Sequence, residues 1–246
     1  HHNGDLNVSP DVYTAAGYQE VSAEFAEGND TIALSTDDWP FFYMPKRVYP
    51  FSYLGMAFAV TVMTLIMTGL LLPGKPRRGH LSYFLLGAGF MLVETKAITE
   101  LGLVFGNTWQ VIGFVICGVL LMSLVANFIV ALAKPKKLWI PGGLLMISIL
   151  VGYVVAMFWG FQSDVVGKIV AITILTLPML FSGILFAGLL RTDVSVAGGL
   201  AANVFGAMCG GLLEYNAMMF GYQSLYLLAI AVYIGALLAM REKPTP

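Results

Sequence analysis

The stretch FMLVETKAITELGLVFG, residues 90–106, combines the apolar character of a membrane span with three ionisable side chains. Glu94, Lys96 and Glu100 fall where a lipid-facing helix would carry only hydrocarbon. A charge at bilayer depth costs at least about 2.5–3.5 kcal/mol, and such residues therefore face the interior of a bundle or a water-filled cavity. The stretch predicts that these three side chains face other polar groups or water.

The composition of the whole chain is that of a membrane protein. Of its 246 residues, 58% are hydrophobic and only 11% are charged, whereas roughly 25% are charged in a typical soluble domain. The mean hydropathy of +0.81 is higher than a soluble core of this size requires. The formal net charge of −1 gives no indication of nucleic-acid binding. The solvent around most of the chain is therefore predicted to be the lipid bilayer.

Acidic residues divide the chain into two predicted domains. Residues 1–50 hold eight of the fourteen acids and two of the bases, and this polar segment is too short to bury much of a core alone. Residues 51–246 are predicted to form the membrane domain. Because the chain begins at His1 rather than Met, we expect it to be processed, truncated or part of something longer.

The polar segment contains one recognisable local pattern. The string DTIALSTDDWPFFYMP, residues 30–45, predicts a short strand followed by a turn. Asp37 and Asp38 favour the turn, and Pro40 ends it.

Apolar stretches in the second domain are long enough to cross a bilayer, which takes about 20 residues. Charged or turn-forming strings such as PGKPRRGH, AKPKK and RTD separate most of them, and a break near Gly221 separates the last two. Short alternating strands of a membrane barrel are not seen in the sequence. The predicted fold class is therefore all-α, a polytopic transmembrane bundle of about seven spans preceded by a short polar segment. The predicted spans cover approximately residues 51–73, 81–105, 109–133, 138–160, 165–190, 195–220 and 222–240.

Basic residues are distributed unequally between the two faces that seven spans create. Since Lys and Arg collect in cytoplasmic loops, the richer face is predicted to be the cytoplasmic one. The chain is thus predicted to be a multi-pass protein of a bacterial inner membrane, with its C-terminus in the cytoplasm and residues 1–50 outside. The richer face carries nine bases, Lys75, Arg77, Arg78, Lys134, Lys136, Lys137, Arg191, Arg241 and Lys243, and the other carries three, Lys46, Arg47 and Lys168.

Depth along the spans predicts a polar cluster in the outer half of the membrane. At about 1.5 Å per residue, Glu94 lies about 20 Å along the second span and Glu100 about 28 Å. Lys96 and Glu100 are four residues apart and can pair on one helix face, whereas Glu94 points about 200° away from Lys96. The predicted cluster consists of Glu94, Lys96, Glu100, Lys168, Glu214 and Asn216.

Three roles remain open for this cluster. It is a structural ion-pair network, a pathway for protons or solutes, or a binding site for a partner subunit or a lipid headgroup. The predicted depth disfavours the pathway, because transport sites tend to lie near the bilayer midplane.

Small residues in VAGGLAANVFGAMCGG, residues 196–211, predict close helix packing. Ala202, Gly206 and Gly210 are spaced by four, the small-xxx-small pattern that lets two helices approach each other. No catalytic residue, metal site or cofactor is predicted, since the sequence shows no GxGxxG string and neither Cys117 nor Cys209 has metal-ligand spacing.

Three stretches resemble membrane-embedded spermidine-synthase-like proteins, in which a soluble aminopropyltransferase-type domain runs into a bundle of helices. STDDWPFFYM (35–44) is similar to the junction between the two parts. FLLGAGFMLVETKAITELGLVFGNTW (84–109) is similar to the most characteristic stretch of the membrane region, and NVFGAMCGGLLEYNAMMFG (203–221) resembles a second. The resemblance covers about residues 30–240.

The resemblance implies a membrane module whose chemistry belongs to a soluble domain. That domain binds an S-adenosyl donor through a Gly-rich turn, with a carboxylate downstream as the catalytic base. Residues 1–50 contain no such turn, and Asp37 and Asp38 correspond to the C-terminal edge of that domain. We therefore expect this chain to be non-catalytic and to have a structural, anchoring role.

Two other functions remain open. The first is an accessory subunit of a larger respiratory or photosynthetic membrane complex, with the acidic segment as an external docking element. The second is a small-solute or proton carrier. The expected partners are the lipid bilayer and, for a subunit, other membrane proteins, but not nucleic acid.

Overall fold

The chain divides into two compact units. In the smaller one, the Met44 backbone N–H donates to the Phe41 carbonyl at 2.9 Å, and the rings of Phe41 and Tyr43 meet edge to face. The larger unit contains residues 36–40 and 48–246, and the smaller contains residues 1–35 and 41–47. The structure is a computed structural model that describes residues 35–41, 43–44, 46–71, 79–105, 109–135, 137–158, 165–192 and 196–241.

The described part of the chain is helical and contains no strand, which confirms the predicted all-α class. One turn of 3-10 helix, Glu214–Asn216, lies between the sixth and seventh α-helices. The helices are α1 Phe51–Leu71, α2 His80–Phe105, α3 Trp109–Ala133, α4 Trp139–Phe158, α5 Val165–Thr192, α6 Val196–Leu213, α7 Ala217–Phe220 and α8 Ser224–Arg241.

Five helical segments of the described chain are long and apolar enough to cross a membrane. The fifth of them, Val196–Phe220, joins α6, the 3-10 turn and α7 into one span. Two shorter apolar helices, Phe51–Ile66 and Ser224–Met240, coincide with the first and last predicted spans. The predicted break between the last two spans lies at Gly221, whose φ of 84° is in the left-handed region that glycine adopts without strain.

α2 lies at the centre of the larger unit. It packs against α6, α8 and α5, and more lightly against α3. Among the five candidate spans it has the lowest mean hydropathy and the largest buried share, 61%. In lipid, the helix that carries polar side chains gains most from being surrounded by protein, because only protein offers those side chains partners.

Glycines on α6 allow it to approach α2 closely. A Cβ on Gly206 would collide with the backbone carbonyl of Phe84, and a Cβ on Gly210 would lie 2.5 Å from the carbonyl oxygen of Ala88. The four-residue spacing places both glycines on one face of α6, as small-xxx-small packing requires. Ala202, the third member of the predicted pattern, is half-buried.

Contacts near both ends show that α2 and α6 run parallel. Near the helix starts, the Asn203 side-chain amide donates to the Tyr83 carbonyl at 3.1 Å. Near the ends, the Thr95 hydroxyl donates to the Glu214 carboxylate at 3.2 Å. α2 and α6 are four helices apart in the chain, and a regular up-and-down path makes helices an even number apart parallel.

The other helices alternate in direction in the same way. α8 is antiparallel to α2, because Tyr226 lies beside Lys96 and Tyr233 lies beside Gly89. α3 and α5 run parallel, and α4 is antiparallel to α5. α1 is antiparallel to α6. These directions are the ones that seven single crossings would produce, and both the number of crossings and the assignment of the cytoplasmic face stay predictions.

Cysteine labelling tests the assignment of faces. In a protein whose Cys117 and Cys209 are replaced by Ala, single cysteines at the exposed positions Lys46 and Lys137 should react from opposite sides of the membrane. Three helices separate the two positions, and the base distribution places Lys137 inside. We expect an impermeant maleimide to label K46C in intact cells and K137C only after permeabilisation. Labelling of both in intact cells would contradict the topology.

A methyl group on Gly206 tests the close packing of α6 on α2. Gly206→Ala should lower the free energy of unfolding in detergent by about 1–3 kcal/mol, the cost of overpacking a tight contact. Gly143→Ala is the matched control, because a Cβ at Gly143 meets nothing within 4 Å, and its higher helix propensity should leave the protein as stable or slightly more so. Equal stability of the two variants would show that the helices do not meet at Gly206.

Candidate functional site

Lys96 and Glu100, in the second half of α2, form an ion pair buried in the bundle. Lys96 and Glu100 are only 3% and 8% exposed. The Lys96 ammonium contacts the Glu100 carboxylate one turn away, as the four-residue spacing predicts. Each charge thus has its counter-charge on the same helix, so the pair can be buried without a partner charge from another span.

The face of an aromatic ring completes the surroundings of Lys96. The Lys96 Nζ lies 5.1 Å from the centre of the Tyr226 ring, which is supplied by α8. A cation is attracted to the negative face of such a ring, and more strongly when water is excluded. Tyr226 is itself buried and meets the ring of Tyr153 edge to face at 5.7 Å. The sequence analysis did not identify Tyr226, although a buried cation in lipid is a reason to look for aromatic residues at the same depth.

The hydroxyl of Tyr226 is the polar end of this arrangement. It has no hydrogen-bond partner among the described residues. A cavity of about 10 Å³ lies beside it, lined in part by Ser148 and Gly152. This volume is near the lower limit for holding one water molecule. The cavity is therefore too small for a substrate.

A second polar contact lies on the face of α2 that meets α6. Thr95 is buried and donates to Glu214, which begins the 3-10 turn after α6. Because successive helix residues point about 100° apart, Thr95 and Lys96 face different neighbours. Glu214 thus belongs to the α2–α6 contact and not to the Lys96–Glu100 pair.

Asn216 anchors a third contact, between the 3-10 turn and the start of α1. Its side-chain oxygen accepts from the Tyr49 hydroxyl at 2.8 Å, and its amide donates to the Leu213 carbonyl at 2.7 Å. Beside it, the rings of Tyr53 and Tyr215 meet edge to face with centroids 5.1 Å apart. Asn216 therefore holds α1 to the end of α6.

The remaining two members of the predicted cluster lie apart from these contacts. The Lys168 Nζ lies 5.0 Å from the centre of the Phe105 ring, which stacks on Phe114. Glu94 is half-buried and forms no hydrogen bond or ion pair with the described part of the chain. The six predicted residues therefore do not form one cluster. Lys96 and Glu100 pair with each other, whereas Glu214, Asn216 and Lys168 each make a separate contact. Glu94 makes none with the described residues.

A turn at residues 36–40 packs on the end of α7. Hydrogen bonds in both directions between the backbones of Thr36 and Trp39 close the turn, at 3.1 and 2.9 Å. Trp39 is fully buried, and its indole N–H donates to the Met218 carbonyl at 2.6 Å. The sequence predicted the turn here, whereas the strand expected before it lies outside the described residues.

Asp38 fixes the same turn to the start of α8. Its carboxylate accepts from the Gln223 backbone N–H at 2.6 Å, and its carbonyl accepts from the Tyr222 N–H at 2.8 Å. The free N–H groups at a helix start carry partial positive charge, so a carboxylate there is stabilising. Gly221 packs directly on the Asp38 carboxylate, where a side chain would collide. Asp37, by contrast, is exposed.

The described residues include no group of three or more His, Cys, Asp or Glu side chains that could hold a metal ion. No protein-family model, curated protein or solved structure matches the chain.

Removing one partner of the buried ion pair should cost more than removing both. Lys96→Met leaves Glu100 buried without a counter-charge, and we expect it to lose about 3–5 kcal/mol of unfolding free energy in detergent. In the double variant Lys96→Met/Glu100→Leu no charge is left behind, so most of that loss should be recovered.

The exposed Lys137→Met is the control for loss of one positive charge, and it should change stability by no more than about 0.5 kcal/mol. If Lys96→Met is as stable as Lys137→Met, Lys96 and Glu100 are not a buried pair.

Proposed function

We propose that this chain is the membrane module of a spermidine-synthase-like integral membrane protein. In this role it is itself non-catalytic, and it anchors the polar segment that precedes α1 to a rigid bundle of helices. The family assignment rests on the resemblance of the three stretches 35–44, 84–109 and 203–221.

The observation that supports the proposal is that the third stretch contacts each of the other two. Gly206 of the third stretch packs on the backbone of Phe84 in the second. Trp39 of the first donates its indole N–H to Met218 of the third. Residues of the three stretches, which are far apart in the chain, thus meet in one structural unit.

The chemistry of the buried pair supports a structural role. Lys96 and Glu100 neutralise each other and are almost inaccessible. A general acid or base must come within hydrogen-bonding distance of its substrate. Because the two charges are paired with each other and buried, a substrate cannot reach them, and their role is better explained as fixing the position of α2 than as proton transfer.

The docked turn supports the anchoring part of the proposal. Asp38 and Trp39 hold residues 36–40 on the junction between α7 and α8 through three hydrogen bonds, two at Asp38 and one at Trp39. Residues 36–40 are therefore tied to the helix bundle at the turn itself, and Tyr49 is tied to Asn216 just before the start of α1.

An accessory subunit of a larger membrane complex is a second candidate, and the same anchoring contacts would serve it. Immunoblotting of native membranes with an antibody against residues 51–246 separates the two. A band well above 26.6 kDa supports a module of a longer protein. A band near that mass which migrates with a large complex in a native gel supports the subunit.

A small-solute or proton carrier is the third candidate, and the half-buried Glu94 is the residue that favours it. Reconstituted vesicles test it: proton uptake that Glu94→Gln abolishes would support the carrier and contradict a purely structural role.

Hydrogen exchange tests the anchoring contact. Asp38→Ala removes the acceptor of the Gln223 N–H, and loss of a carboxylate at a helix start costs about 1 kcal/mol. We therefore expect exchange of the amides at 222 and 223 to become roughly fivefold faster, since local opening governs exchange. Asp37→Ala is the matched control, because its exposed carboxylate should leave exchange unchanged. Equal exchange rates in the two variants would show that the Asp38 carboxylate does not hold the turn on the start of α8.

A further inference from the structure

A groove of about 380 Å³ opens between α3 and α5 near the C-terminal ends of both helices. Its volume lies within the roughly 300–1,000 Å³ of small-molecule sites. The two helices are in close contact one turn earlier, where a Cβ on Gly183 would lie 2.9 Å from that of Ala126. The groove begins where this contact ends, and the small side chains of Ala131 and Ala187 leave it open.

The interior of the groove is apolar and its polar groups are few. Val130 and Ala187 belong to the hydrophobic cluster that α3 and α5 build around Ala126 and Ile184. The side chains of Asn127 and Arg191 are the polar members of its lining, and both are exposed. A ligand that fits must therefore be largely hydrocarbon.

The end of the groove at Arg191 is positively charged. Arg191 lies in the last turn of α5. The link that follows α3 lies at the same end, because Lys134 donates its backbone N–H to Val130 and Leu138 packs on Gly188. This link also contributes Lys137, which is exposed like Lys134.

The acids of the described chain lie elsewhere. They are at the α7–α8 junction, in the second half of α2 and in the 3-10 turn after α6. Asp193, two residues beyond Arg191, lies outside the described residues. The described part of this end of the bundle therefore attracts anions.

We propose that this groove binds one anionic phospholipid, with its phosphate on Arg191 and an acyl chain along Val130, Ala131 and Ala187. Guanidinium groups bind phosphate through paired, charge-assisted hydrogen bonds, and basic pockets between membrane helices bind anionic headgroups. The combination of a cation at a helix end with an apolar groove open to the bilayer fits a phospholipid. A free phosphate would use only the cation, and a neutral lipid would use only the groove.

Arg191 has a simpler structural role to be distinguished from this one. A cation in the last turn of a helix interacts favourably with the helix dipole. That role affects the stability of the protein, but it gives no preference for anionic over neutral lipid.

Native mass spectrometry of the full chain in detergent separates the two roles. The protein is titrated with dioleoylphosphatidylglycerol, with dioleoylphosphatidylcholine and with inorganic phosphate. We expect one phosphatidylglycerol adduct at concentrations where phosphatidylcholine and phosphate give none. Arg191→Gln should raise the half-saturating concentration roughly fivefold, the contribution of one basic residue near anionic lipid, and Lys137→Gln should raise it less than twofold.

A groove-filling variant tests the acyl-chain part of the site. Ala131→Phe should block the groove and abolish the adduct, whereas Ala133→Phe places the same ring on an exposed position that does not line it. Both alanines are exposed, so neither change overpacks the bundle.

Three results overturn the proposal: equal binding of the two lipids, an equal effect of Arg191→Gln and Lys137→Gln, or an adduct that survives Ala131→Phe. A roughly fivefold weaker phosphatidylglycerol adduct in Arg191→Gln, together with loss of the adduct in Ala131→Phe but not in Ala133→Phe, supports it.

Discussion

Hydrocarbon cannot solvate a charge, and this constraint determines where α2 lies. Lys96 and Glu100 lie in the second half of a helix long and apolar enough to cross lipid, so their ion pair has to be covered by protein. The helix that carries them therefore takes the centre of the bundle, with α6, α8 and α5 packed around it. The neighbouring helices then carry the residues that make this possible, glycines on α6 and Tyr226 on α8.

The contacts around α2 differ because each face meets a different neighbour. On the α6 side the two helix backbones approach closely, which is possible because Gly206 and Gly210 have no side chain. On the α8 side the requirement is to accommodate an ammonium group, and the ring face of Tyr226 meets it. These solutions fix the rotation of α2 about its axis as well as its position, because exchanging the two faces would bury Lys96 against glycine backbone.

The sequence predicted the features that depend on one helix at a time. Hydropathy and turn residues placed the helices, and the four-residue spacing predicted that Lys96 pairs with Glu100. The small-residue pattern predicted close packing of α6, although not that α2 is the helix it meets. Depth along the span suggested that Lys168 lies with the α2 charges. Depth gives the position of a residue along the membrane normal, but not which neighbouring helix its side chain faces. Lys168 lies instead on the Phe105 ring, and contacts between distant residues such as Trp39 and Met218 leave no periodic signal.

The strings that look most unusual in this sequence are those with the most structural constraints on them. ETKAITE places an ion pair and a hydrogen-bonding Thr95 on two faces of one turn, each for a different helix. GAMCGGLLEYN places Gly206 and Gly210 on the face of α6 that meets α2, and Glu214 in the 3-10 turn that follows accepts from Thr95. DDW lies in a turn from which Trp39 contacts Met218 of α7 and Asp38 contacts the start of α8. A resemblance carried by such strings is evidence for a shared packing arrangement before it is evidence for a shared reaction. The anchoring role proposed here needs only the former.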